Sequence, residues 1–81
     1  MKTTEELFLE VEQLYHNSFY YSATSDCIYT KIDRPHYPIR GKWNLCMQHG
    51  KIRAYSDDAR DPEIFADTIE QLITKIQLID P

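Results

Sequence analysis

The sequence predicts an α+β protein: a two-layer αβββα arrangement, with both helices packed on one face of a three-stranded antiparallel sheet. Three observations predict it. Apolar residues recur at helical spacing near both ends of the chain. The stretch Trp43 to Tyr55, WNLCMQHGKIRAY, alternates apolar and polar residues on either side of a glycine turn. Both helical stripes need cover, and such a sheet offers one apolar face to supply it.

The central hairpin fixes the register. Gly50 supplies the positive φ of a two-residue turn. With His49-Gly50 as the loop, Gln48 pairs with Lys51, Met47 with Ile52, Leu45 with Ala54 and Trp43 with Ser56. Side chains alternate faces along a strand, so Trp43, Leu45, Met47, Ile52 and Ala54 share one face. Asn44, Cys46, Gln48, Lys51, Arg53 and Tyr55 share the other. A slip of one residue would destroy this separation.

The N-terminal helix is expected over Thr3 to Asn17. Thr3 is its N-cap, and Glu6 completes a capping box. Leu7, Phe8, Val11, Leu14 and Tyr15 form the buried stripe, with Leu9 off it. The next stretch, Ser18 to Ser25, offers Phe19 to the core, and Tyr20 and Tyr21 can begin a strand. The first strand is expected over Asp26 to Ile32, with Ile28 and Ile32 inward and Cys27, Tyr29 and Lys31 outward. The opposite facing stays open, because Cys and Tyr also bury well. Pairing this strand against Lys42–Gln48 brings Cys27 near Cys46.

The connector DRPHYPIRG, Asp33 to Gly41, carries Pro35 and Pro38, which preclude ordinary ladder pairing. His36 and Tyr37 lie between them, flanked by Arg34 and Arg40. After the hairpin, Asp61-Pro62-Glu63 reads as a helix start: an N-cap, a first-turn proline and an early carboxylate. Phe65, Ile69, Leu72, Ile73 and Ile76 make its stripe. Leu78, Ile79 and Pro81 are apolar, and the tail is expected to fold back on the body.

Eighty-one residues make one domain, 1–81, which buries roughly 60% of its unfolded surface. A composition of 42% hydrophobic and 27% charged residues with two Gly argues against disorder. No apolar run reaches the roughly 18 residues of a membrane span, so no membrane partner is expected. The acidic, amphipathic N-terminus does not read as a signal peptide. Two cysteines without such a signal point to reduced thiols and a cytoplasmic protein. Net charge is −4, unevenly spread: −3 over residues 1–17, +4 over 18–56 and −5 over 57–81. Such a two-sided molecule can orient on a charged partner, although solvated acidic helix faces would give the same pattern.

No arrangement of residues points to an enzyme. His16, His36 and His49 form no metal spacing with Cys27 and Cys46, and no glycine-rich phosphate loop is present, so no metal or cofactor is expected. Asp57, Asp58 and Asp61 lack the alternating ligands of a calcium loop. A pocket built on His36, Cys46 or His49 is the least favoured reading.

The order helix–three strands–helix, with the Pro- and His-containing loop DRPHYP, is similar to the double-stranded-RNA-binding domain. That family's second helix opens with a phosphate-gripping lysine cluster, whereas this chain has Asp57-Asp58-Ala59-Arg60-Asp61-Pro62-Glu63. Carboxylates repel phosphates, so that mode of RNA binding is rejected. In size and acidity the chain is similar to phage- or mobile-element-encoded inhibitors, including those of CRISPR nucleases.

The expected function is a small acidic protein-binding module of that inhibitor kind, working by surface or phosphate mimicry. Its partner-binding residues would be Tyr29, Lys31, Arg34, His36, Tyr37, Arg40, Arg53, Tyr55, Asp57, Asp58, Asp61 and Glu63. The alternative is a nucleic-acid-binding domain that uses the basic, tyrosine-bearing sheet face and the 33–41 loop. Homodimerisation through the first strand or the open face is compatible with each of these readings, the His36, Cys46 or His49 pocket included.

Overall fold

A computed structural model describes residues 2–31 and 38–80. The elements run α1 (Thr4–Leu14), β1 (Phe19–Ser22), β2 (Cys27–Thr30), β3 (Trp43–Gln48), β4 (Lys51–Ser56), β5 (Ile64–Ala66) and α2 (Ile69–Ile79). The class is α+β as expected, but the sheet has five strands, and the order is αβββββα. All the pairings are antiparallel, and the spatial order β1-β2-β3-β4-β5 is the order of the chain.

The hairpin pairs as its turn dictates: Trp43 with Ser56, Leu45 with Ala54, Met47 with Ile52 and Gln48 with Lys51. His49 and Gly50 both have positive φ, 54° and 77°, as a tight two-residue turn requires. The two additional strands lie at the sheet's edges. Phe19–Ser22 pairs with the expected first strand, which is shorter than Asp26–Ile32; its last expected residue, Ile32, lies outside the described residues. Ile64–Ala66 pairs with β4 and occupies a stretch expected to be helical. Three residues are too few for period-two alternation to compete with the Asp-Pro-Glu signal in the sequence. The outer edge of β4 nevertheless needs hydrogen-bond partners, and this stretch supplies them.

Helix α2 therefore starts later than Asp61. Its N-cap is Thr68, whose Oγ1 accepts from the Gln71 N–H at 3.2 Å. Helix α1 has the expected capping box: Thr3 Oγ1 accepts from Glu6 N–H, and Glu6 accepts from Thr3 N–H. The helix stops at Leu14 instead of Asn17, which leaves Leu14 exposed. The apolar tail does not fold back: Leu78 and Ile79 lie in α2, and Leu78 is 81% exposed.

One core cluster joins the sheet to both helices. From the sheet come Phe19, Ile28, Trp43, Leu45, Ile52, Ala54, Ile64 and Ala66, all on the same face by register. Leu7 and Val11 of α1, Ile69, Leu72, Ile73 and Ile76 of α2, and Ile39 ahead of β3 complete it. Helix α1 lies over β1–β3, and α2 lies over β4 and β5. Phe65, expected in the buried stripe, points away from this core and is exposed.

Candidate partner-binding face of the sheet

The face away from the helices is built by the same register. Tyr20 pairs with Tyr29, Tyr29 with Asn44, and Asn44 with Tyr55, so these four residues form one row across four strands. A second row runs parallel to it. Ser22 pairs with Cys27, Cys46 pairs with Arg53, and Arg53 pairs with Phe65. Period-two alternation alone puts all of these side chains on one side.

The rings are held in defined poses. Tyr20 and Tyr29 stack with centroids 5.3 Å apart, and the Tyr29 hydroxyl shares a 2.8 Å hydrogen bond with Ser25. The Arg53 guanidinium lies 4.3 Å from the centroid of the Tyr55 ring, a cation–π contact. The Tyr55 hydroxyl shares a 3.3 Å hydrogen bond with the Cys27 thiol, and this contact, together with burial, pushes the phenol up. Tyr20 and Phe65 are exposed at opposite edges of the band.

The face is less open than the sequence suggests. Cys27 is only 2% exposed and Asn44 only 3%, although both point away from the main core. Asn44 spends its amide on a neighbour: Nδ2 donates to Asp57 Oδ1 at 3.0 Å. This meets the requirement that a buried amide be hydrogen-bonded.

The charges of the face are matched within the chain. Arg53 Nη2 meets Glu63 Oε1 at 3.0 Å, which raises the guanidinium and lowers the carboxyl. Lys51 meets Asp67 at 2.9 Å, holding that carboxyl low. At the end of the sheet, Asp58 takes Arg60 at 2.9 Å and is held well below the ordinary aspartate range. Asp61 takes Lys42 at 2.9 Å and is also lowered, first by that ammonium and then by Ser56.

The residues singled out from sequence therefore divide. Tyr29, Arg53 and Tyr55 share the face, with Glu63 at its margin. Asp57, Asp58 and Asp61 lie in the turn between β4 and β5, bound to Asn44, Arg60 and Lys42. Lys31 turns to Asn17 Oδ1 at 2.6 Å, and Arg40 goes to Asp80 at 3.1 Å at the end of α2. Arg34, His36 and Tyr37 lie outside the described residues. Tyr20 and Phe65 were missed. The signal for Tyr20 was its place opposite Tyr29 once the turn at 23–26 is accepted; Phe65 had none that outweighed its fit to a helical stripe.

No group of three or more His, Cys, Asp or Glu side chains among the described residues is arranged to hold a metal ion. Among the described residues, no helix is long and apolar enough to cross a membrane. Compared with known proteins, the chain matches no family model, no curated protein and no solved structure.

Proposed function

We propose that this protein is a non-enzymatic binding module that takes a protein partner on the sheet face opposite the helices. The observation that carries the reading is the aromatic band: Tyr20, Tyr29 and Tyr55 in one row, with Phe65 beside it. Tyrosine and arginine concentrate at the energetically important centres of protein interfaces, because they bury large area and keep a polar handle. Pre-stacked rings lose little further rotamer entropy on binding, which favours affinity. The partner chemistry that fits is a near-neutral, apolar or aromatic surface with hydrogen-bond acceptors for the phenols.

In the inhibitor version of this reading, the module works by occupying a functional surface of its target. Phosphate mimicry by the 57–63 carboxylates draws less support, because Asp58, Asp61 and Glu63 are each engaged by a cation of the same chain. The nucleic-acid alternative loses ground for the matching reason. Arg53 and Lys51 are paired with carboxylates, and one side of the Tyr55 ring carries a guanidinium where a base would stack.

The test is capture from lysate, untreated and nuclease-treated in parallel, with three proteins: the native chain, a face variant (Tyr20→Ser with Phe65→Ser) and a helix-surface control (Leu9→Ser with Leu78→Ser). A protein held by the native chain and the control, and weakened about tenfold or more by the face variant, supports the reading. A partner retained equally by all three overturns it. Material that vanishes on nuclease treatment moves the assignment to nucleic acid.

A further inference from the structure

The two cysteines face one another on neighbouring strands. Ile28 pairs with Leu45 at the last rung of the β2–β3 ladder, and continuing that register by one residue sets Cys27 opposite Cys46. Both are free thiols, and both point to the face away from the helices. Facing residues of an antiparallel pair have Cα atoms about 4.5 or 5.5 Å apart, depending on the rung. Either spacing lies inside the roughly 4.4–6.8 Å that a disulfide spans.

The surroundings assign the two sulfurs different roles. Cys46 is the more accessible, and its Sγ accepts from Arg53 Nη1 at 3.8 Å. Cys27 is buried, with its Sγ on the Tyr55 hydroxyl at 3.3 Å. We propose that Cys27 and Cys46 form a modification site, which hydrogen peroxide converts to an intramolecular cross-strand disulfide.

The chemistry balances in two steps. The Cys46 sulfur attacks one peroxide oxygen, the O–O bond breaks, and Cys46 becomes a sulfenic acid with release of one water. The Cys27 sulfur then attacks the Cys46 sulfur, the S–O bond breaks, and the hydroxyl leaves with the Cys27 proton as a second water. The two thiols lose two electrons, and the peroxide is reduced to two waters. Arg53 stabilises the Cys46 thiolate, but burial acts more strongly and pushes that thiol up. The reaction is therefore slow, as for a thiol without a strongly activating site.

The test is the intact mass of the reduced protein after incubation with hydrogen peroxide. The expected product is a monomer lighter by about 2 Da, with no thiol left for a maleimide, reversed by dithiothreitol. Tryptic peptides 3–31 and 43–51 should then be recovered joined. A Cys27→Ser variant should instead stop at a trappable sulfenic acid, about 16 Da heavier. Three results would overturn the proposal: thiols that stay alkylatable, a bridge only between two molecules, or direct passage of Cys46 to the sulfinic acid. If the variant does not fold, the peptide map of the native chain decides alone.

Discussion

The indole N–H of Trp43 donates to Asp80 Oδ2 at 3.0 Å, joining the first residue of β3 to the C-cap of α2. Trp43 is fully buried, so this bond satisfies a donor that has no water to turn to. The same carboxylate receives Arg40 at 3.1 Å, and Gln77 donates to the Pro38 carbonyl at 2.8 Å. Together these contacts pin the end of α2 to the segment that enters β3. Asp80→Ala strands the indole donor and is expected to cost about 1–3 kcal/mol in a urea titration. Asp80→Asn keeps an acceptor and should cost distinctly less. Equal losses would show that the bond contributes nothing specific.

The turn at His49-Gly50 holds a non-glycine residue at φ 54°. Asn tolerates this region better than His, so His49→Asn should stabilise the protein by about 0.5 kcal/mol. A Cβ added at Gly50 meets no atom within 4 Å, so Gly50→Ala meets backbone strain alone. The expected loss is about 1 kcal/mol. Thermal melts of both variants measure the pair of signs.

The position of α2 makes a sharp prediction. Thr68→Ala removes its N-cap and should cost about 1 kcal/mol. Phe65→Ala should cost under about 1 kcal/mol because the ring is exposed, whereas Ile76→Ala in the core should cost about 2–5 kcal/mol. A Phe65 loss as large as that of Ile76 would place the ring in the core instead.

Acid should weaken the fold in a defined direction. Asp58, Asp61, Glu63 and Asp67 are all held below their ordinary values by Arg60, Lys42, Arg53 and Lys51 respectively. Carboxyls lowered in the folded state bind fewer protons there than in the unfolded chain. Their stabilisation is complete above the ordinary values of 3.8 for Asp and 4.5 for Glu, and it is lost as pH falls through the folded values. Urea midpoints should therefore decline from about pH 5 downward, and less so in high salt, because the Lys51–Asp67 pair in particular lies exposed and is screened. A midpoint that rises on acidification would contradict the pairing.

The hairpin was fully legible in the sequence, because one glycine turn and two alternating runs admit a single consistent register. The α1 capping box was legible for a similar reason: both of its partners lie within four residues. Helix α2 was legible only from Ile69 onward. Asp61-Pro62-Glu63 has the local chemistry of a helix start, but the outer edge of β4 needed a strand, and that demand is tertiary. The tyrosine face was half legible. Tyr29 and Tyr55 follow from alternation, while the stacking of Tyr20 on Tyr29 depends on a strand that only its pairing reveals. The internal neutralisation of Arg53 and Asp61 was not legible at all, since each partner arrives from another element.

Because the spatial order of the strands repeats their order along the chain, the sheet contains no crossover. Each strand finds its neighbour in the adjacent stretch of sequence, so joining neighbouring strands closes loops of at most twelve residues, and the entropy lost at each step stays modest. The sheet can zip outward from the central hairpin in both directions, and such local wiring favours rapid folding over slow search among distant pairings. In stopped-flow refolding, slowing by hairpin-turn variants such as Gly50→Ala would mark that turn as part of the folding nucleus.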